Sequence, residues 1–151
     1  MRHKVCTVTR DGHEQSFKWI AHVMDHFTKF HVVWPLVNKC ADEVAEGLER
    51  HVFAYFGLPS ILQSDNGREF KNALVAELIQ SWEGNCKIIH GRPRHPQSQG
   101  LVEQANGTLE RMLASMMEQE NHKNWVKLLP KATWSLNSQT SSCMLYSILN
   151  K

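Results

Sequence analysis

Two stretches decide the fold and chemistry of this chain: SDNGREF, residues 64–70, and HGRPRHPQSQGLVEQAN, residues 90–106. In the first, Asp65 follows a short apolar run and precedes Asn-Gly, which is typical of a strand ending in a turn. In the second, Glu103 lies early in a predicted helix, because apolar residues recur at three- and four-residue intervals over residues 102–116. Paired carboxylates suit hard, oxygen-seeking cations such as Mg²⁺ or Mn²⁺. The pattern therefore predicts a divalent-metal site between a strand end and a helix.

Strand and helix patterns alternate along the rest of the chain. Strands are predicted at residues 2–9, 17–24, 30–36, 60–64 and 87–89, from apolar runs and alternation. Helices are predicted at residues 41–56, 69–82, 98–119 and 125–136, from apolar residues three and four positions apart. Ser98 is expected to cap the third of these helices. This order predicts an α/β fold, with a mixed sheet covered by helices.

Composition narrows the class of protein. A length of 151 residues fits one domain, residues 1–151, and an apolar content of 42% is too high for a disordered chain. A formal net charge of +2 does not by itself identify a polyanionic partner. The four cysteines are far apart in sequence, so we expect reduced thiols in an intracellular protein. No apolar segment is long enough to span a membrane, and we expect no signal peptide and no membrane partner.

The motifs SDNGREF, HPQSQGLVEQAN and MDHFTKF together resemble the catalytic core of retroviral and retrotransposon integrases. Host-captured vertebrate proteins derived from such transposable elements are the most similar in character. The resemblance covers about residues 17–137, and thirty-seven residues separate Asp65 from Glu103, close to the family's interval. It implies an RNase H-like, mixed five-stranded sheet flanked by helices. It also implies metal-dependent DNA strand transfer (DNA integration), with DNA as partner and the nucleus as location.

The same resemblance implies the roles of the acidic residues. Asp65 and Glu103 would each bind one of two Mg²⁺ or Mn²⁺ ions, and a third acid on the first, central strand would bridge them. Before the predicted hairpin the chain offers only Asp11 and Glu14, beside a turn, and Asp25 falls on another turn. We therefore expect the first strand to be truncated, its aspartate to be missing and metal binding to be weak. Residues 1–9 then either serve as a replacement strand or leave the domain marginally stable.

Nucleic-acid contacts are expected next to the carboxylates. Arg92, Arg94 and His95 form a basic loop before the helix of Glu103, and Asn106 follows Glu103 by one turn. A solvated loop without a partner, and an Asn106 that simply faces solvent, are the alternatives. The five tryptophans are expected to be core or helix-packing residues rather than base-stacking platforms. Related cores also imply a homodimer.

Whether the chain is an enzyme stays open at this point. The leading hypothesis is an integrase-type core, impaired for lack of the first aspartate. The alternative is a catalytically inactive, host-captured domain that binds nucleic acid or protein. An RNase H-like nuclease acting on hybrids is a third option, which the SDNGREF and HPQSQG motifs disfavour.

Overall fold

The computed structural model describes residues 2–10, 13–64, 73–90, 96–121 and 123–140. The strands of this part are β1 Arg2–Arg10, β2 His13–Met24, β3 His31–Leu36, β4 Ile61–Ser64 and β5 Lys87–His90. The helices are α1 Ala41–Leu48, α2 Ala54–Phe56, α3 Ala73–Ser81, α4 Pro96–Gln119 and α5 Trp125–Thr140, with a π-helical turn, Glu49–Phe53, joining α1 to α2. The strands and helices confirm the predicted α/β class.

The described strands pair as two sheets. β1, β2 and β3 form an antiparallel sheet in that order, and β4 pairs with β5 in parallel. The N-terminal segment does form a strand, so the expectation that residues 1–9 would act as one is confirmed over residues 2–10. Its sequence, RHKVCTVTR, contains no carboxylate. Truncation of the family's first strand stays a prediction.

Each face of the three-stranded sheet is covered by its own apolar cluster. Ile20 of β2 lies with buried residues of α4 and α5, among them Leu109 and Leu129. Trp34 of β3 lies on the other face, with buried residues of α1 and α3. Because side chains alternate along a strand, the same two strands supply both clusters. The sheet is thus the middle layer between two helical layers.

The helical run after β3 begins and ends at identifiable residues. The Glu43 carboxylate accepts hydrogen bonds from the backbone N–H groups of Val37 (2.8 Å) and Asn38 (2.9 Å) in the preceding loop. Gly57 follows α2 with a φ of 74°, a conformation that glycine adopts without a Cβ penalty. Between them the π-helical turn interrupts α-helical geometry, although the sequence pattern predicted one unbroken helix over residues 41–56.

Two sequence predictions are wrong. Helix α4 begins at Pro96, so Ser98 lies inside its first turn and not at the N-cap position. Proline fits the first helical position, because its missing N–H has no partner there in any case. Trp134 is 70% exposed, against the expectation that the tryptophans are core or helix-packing residues, whereas Trp34 and Trp125 are buried as expected. The four-residue spacing on α5 does not distinguish Trp134 from its buried neighbours.

Candidate metal and nucleic-acid site

The parallel strand pair sets the position of the predicted site. Ser64, the last residue of β4, pairs with His90, the last residue of β5. In sequence, Ser64 is followed directly by Asp65, and five residues separate the end of β5 from the start of α4 at Pro96. In α/β sheets, ligands bind beyond the carboxyl ends of parallel strands. Both stretches singled out in the sequence therefore leave the sheet at this edge.

The predicted site residues fall into two groups. Asp65, Arg92, Arg94 and His95 lie outside the described residues. Glu103 lies within α4 with an exposed side chain, and Asn106 is half-buried one turn later. The structure therefore describes the helical part of the predicted site, and the pairing of Asp65 with Glu103 stays a prediction.

The two described acids near the N-terminus, Glu14 and Asp25, do not form a three-ligand group with Glu103. Glu14 is exposed and paired across the strands with Thr9. The Asp25 carboxylate accepts hydrogen bonds from the backbone N–H (2.6 Å) and hydroxyl (2.7 Å) of Thr28, and these hold the pKa of Asp25 below its usual value. Asp25 therefore stabilises the turn between β2 and β3. Asp11 lies outside the described residues.

The donor chemistry fits a hard divalent cation. Glu103 supplies an exposed carboxylate, and Asp65 would supply a second, so the donors are all oxygens. Within the described part of the chain, no three His, Cys, Asp or Glu side chains come close enough together to hold a metal ion. Asp65 lies outside this part of the chain, so a metal site that it shares with Glu103 stays a prediction.

Sequence reasoning missed a polar cluster next to this helix. His22 Nδ1 lies 2.8 Å from Asn106 Oδ1, and His22 Nε2 lies 2.9 Å from His31 Nδ1. Asn137 of α5 accepts from the backbone N–H of His31 (2.8 Å) and donates to its carbonyl (2.9 Å). One signal was available, since strand alternation places His22 on the same face as buried Ile20.

Burial sets the protonation of the two histidines. Desolvation lowers the pKa of His22 to about 4, the hydrogen bond to Asn106 opposes this shift, and the charge of His31 adds to it. Burial also lowers the pKa of His31. Both imidazoles are therefore neutral at physiological pH.

No helix in the described ranges is both long and apolar enough to cross a membrane.

Comparison with known proteins gives a family and several relatives. A family model described as "Integrase core domain" matches residues 3–96, more than half of the chain. KRAB-A domain-containing protein 2 of Homo sapiens is 39% identical over 111 residues, which are 74% of this chain and 22% of that protein. The Gag-Pol polyprotein of feline leukemia virus is 30% identical over 118 residues, 76% of this chain and 6% of that polyprotein. The chain thus spans less than a quarter of either relative.

Solved structures show the same fold. The HTLV-2 integrase catalytic core domain, solved in complex with magnesium in dimeric and trimeric forms, matches with a TM-score of 0.61 at 17% identity. The dimeric form covers 87% of this chain and 81% of that chain. At this identity the likeness establishes the RNase H-like fold alone. Together with the family match, it shows that the chain belongs to the integrase core domain family, of retroviral-type origin.

Proposed function

We propose that this chain is an integrase-type catalytic core in which Asp65 and Glu103 bind Mg²⁺ or Mn²⁺ and act on DNA ends. The observation that carries the proposal is the exposed Glu103 carboxylate on α4, the helix that follows the same sheet edge as Asp65. Glu103 lies seven residues into α4, about 10 Å along the helix axis.

The residues of the site have distinct tasks in this proposal. When bound, the metal ions supply charge neutralisation at the reacting phosphate and activation of an oxygen nucleophile. Asp65 and Glu103 orient these ions. Arg92, Arg94 and His95 contact the phosphate backbone, so binding of DNA weakens as salt is raised. The Asn106 amide oxygen is engaged by His22, which leaves its N–H₂ group to donate to DNA.

We infer that the site binds its metal ions weakly and that strand transfer is therefore slow. β1 leads into the hairpin with β2, as the family's first strand does, yet its sequence has no carboxylate. Two of three expected acids hold the metal less tightly, because fewer negative oxygens offset its charge. We also infer that residues 1–151 fold as one domain and act in the nucleus.

Strand transfer with a DNA-end substrate and Mn²⁺ tests this proposal. We expect slow product formation that Asp65→Asn and Glu103→Gln each abolish. Glu110→Gln is the matched control, since Glu110 is an exposed acid on the same helix and its removal changes the charge equally. Activity insensitive to the first two substitutions would contradict the proposal. So would inactivity of a version in which an acid is restored to β1.

A catalytically inactive domain that binds nucleic acid or protein is the second candidate. The absence of an acid from β1 favours it, as does the 39% identity to a human KRAB-A domain-containing protein. This candidate predicts DNA binding that is unchanged by Mg²⁺, by Mn²⁺ or by Asp65→Asn. Binding that strengthens with the metal and loses this gain in Asp65→Asn would exclude it.

We infer that the chain forms a homodimer through an aromatic groove. The groove has a volume of about 450 Å³ and is lined by residues that include Phe30, Tyr55, Phe56 and Asn137. Tyr55 is 77% and Phe56 61% exposed, and Phe56 meets Phe30 edge-on with ring centroids 5.6 Å apart. Exposed aromatic patches of this kind are typical of interfaces. Solved relatives of this fold include a dimeric form, which supports a second copy as the occupant.

Sedimentation velocity tests the homodimer. The double variant Tyr55→Ser, Phe56→Ser is expected to be monomeric where the unmodified chain is dimeric. Phe27→Ser is the control, because Phe27 is 93% exposed but does not line the groove. A monomeric unmodified chain, or a dimer unaffected by the double variant, would contradict this assignment.

A further inference from the structure

The polar cluster under α4 joins three elements inside an apolar layer. His22 is on β2, His31 on β3 and Asn106 on α4, and their side chains form one chain of hydrogen bonds of 2.8 and 2.9 Å. His31 is 7% exposed and is the buried polar residue of the described core. A buried polar chain is stable only when each member finds its partner. The cluster is therefore stable in one hydrogen-bonded arrangement.

Hydrogen-bond chemistry assigns a direction to the chain. An amide oxygen only accepts, so His22 Nδ1–H donates to Asn106 Oδ1. Neutral His22 then accepts at Nε2, and His31 Nδ1–H is the donor. Asn137 binds both backbone groups of His31 and holds this strand position in place. This series of hydrogen bonds thus runs from β3, where Asn137 holds the backbone of His31, to Asn106 on α4.

Asn106 lies where the described side chains of α4 first become anchored. Among these side chains, which start at residue 100, none is buried over residues 100–104, and the first buried one is Ala105. Asn106 follows Glu103 by three residues, so the two side chains lie on neighbouring positions of the helix surface. Fixing the amide of Asn106 therefore fixes the rotation of the turn that presents Glu103.

We propose that His22 is a positioning residue, which through Asn106 holds the Glu103 turn of α4 as long as the neutral histidine pair has taken up no more than one additional proton. With one added proton, His22 Nε2–H donates to His31 Nδ1, after His31 moves its own proton to Nε2. With two, both facing nitrogens carry hydrogens at 2.9 Å and the contact opens. The inference rests on the proposed function only in that the proposed function makes Glu103 a metal ligand.

Few other charges act on His22. The remaining titratable or charged described side chains on the surrounding elements β1, β3, α4 and α5 are Cys6, His31, Glu103, Glu110, Arg111, Glu118, Lys127 and Lys131. Of these, His31 is the one whose charge affects the pKa of His22. The protonation of the pair is therefore set mainly within the cluster.

Imidazole and amide NMR of the whole chain tests the proposal without metal, DNA or activity. Titration of the His22 ring gives its pKa. Amide exchange of residues 100–108, corrected for intrinsic rates, measures how strongly the first described turns of α4 are protected from local opening. In the unmodified chain we expect His22 to titrate near pH 4. We also expect protection of these amides to fall at least tenfold in acid, while the amides of Leu128 and Leu129 on α5 stay protected.

Asn106→Asp provides the decisive variant, because a carboxylate favours the imidazolium. It is expected to raise the His22 pKa by about one unit or more. It should also move the loss of α4 protection to lower pH, since the introduced carboxylate and the His22 imidazolium keep their hydrogen bond. Gln104→Glu is the control, because it adds the same charge at an exposed position of the same helix and should change neither value.

Two results would overturn the proposal. One is α4 protection that stays unchanged when the His22–His31 pair takes up its second added proton. The other is an Asn106→Asp variant that leaves the His22 pKa in place. His22→Gln should loosen residues 100–108 at neutral pH, and if it does not fold, the Asn106→Asp result decides alone. Failure of strand transfer would leave these measurements untouched, so the two proposals fail separately.

Discussion

The two faces of the three-stranded sheet are packed with different chemistry. On the α1 and α3 side the layer is apolar, and the Trp34 indole lies directly against Gly47, where the helix backbone approaches it. On the α4 and α5 side the apolar layer contains the His22–His31–Asn106 chain. The first face is held mainly by apolar packing, with His51 stacked on Trp34. The second face makes its packing depend on protonation, under the helix that carries Glu103.

The largest expected contrast between the faces is in the pH dependence of stability. The folded pKa of His22 is about 4, below the usual histidine value of 6.5, so the unfolded state binds more protons between these values. The contribution of His22 is complete above pH 6.5 and is lost as pH falls to 4, by at most about 3 kcal/mol at ~1.4 kcal/mol per unit. His31 acts in the same direction.

Chemical denaturation from pH 7 to pH 4 measures this loss. His22→Gln should flatten the dependence, whereas His51→Gln, in the other layer beside Trp34, should remove a smaller part. Protonation of Asp25 lowers the free energy of unfolding only below the usual aspartate pKa of 3.8, which lies outside this pH range. An equal slope in the His22→Gln variant and the unmodified chain would remove the contrast between the faces.

A second test concerns the close approach on the apolar face. A Cβ at Gly47 would overlap the Trp34 indole, so Gly47→Ala should lower the free energy of unfolding by about 2 kcal/mol. Gly107→Ala on α4 is matched, because its Cβ would meet only Arg111 Nη1 at 3.7 Å. There the helix propensity of alanine should raise stability by roughly 0.5–1 kcal/mol. Thermal and urea unfolding of both variants compare the two helices, and a loss of equal size in each would refute the distinction.

The smallest expected effect lies at the edge of the apolar face. The Glu43 carboxylate accepts from two backbone N–H groups and from Asn38 Nδ2 at 3.0 Å. Glu43→Ala should cost about 1–2 kcal/mol, because these donors lose a charged acceptor. Asp42→Ala, next to it in the first turn of α1 and exposed, serves as control and should cost less. Urea midpoints separate the two, and equal losses would show that the interaction with the loop adds nothing.

Sequence alone predicted the α/β class and the main elements, because apolar periodicity reflects which side of each element is buried. It also predicted the family, from motifs that surround Asp65 and Glu103. Periodicity could not show that Trp134 is exposed, since that depends on which neighbours cover the helix. It could not show the π-helical turn either, because the helix register changes there without a distinct residue signal.

The polar cluster escaped prediction for a different reason. His22 and His31 become partners only through the register of β2 with β3, in which His22 faces Val33 and Met24 faces His31. The pair is therefore diagonal across the strands, and its third member comes from a helix far along the chain. A single histidine in an apolar run indicates a satisfied polar group, and the identity of its partner requires the fold.

Paramagnetic broadening by Mn²⁺ tests most directly whether Asp65 and Glu103 share one cation. If they do, low concentrations of Mn²⁺ should broaden the amide signals of Asp65 and Glu103 together. Asp65→Asn should then abolish the broadening at Glu103, and Glu110→Gln should leave both signals as in the unmodified chain. Broadening of only one of the two signals, or broadening at Glu103 that survives Asp65→Asn, would contradict the shared site.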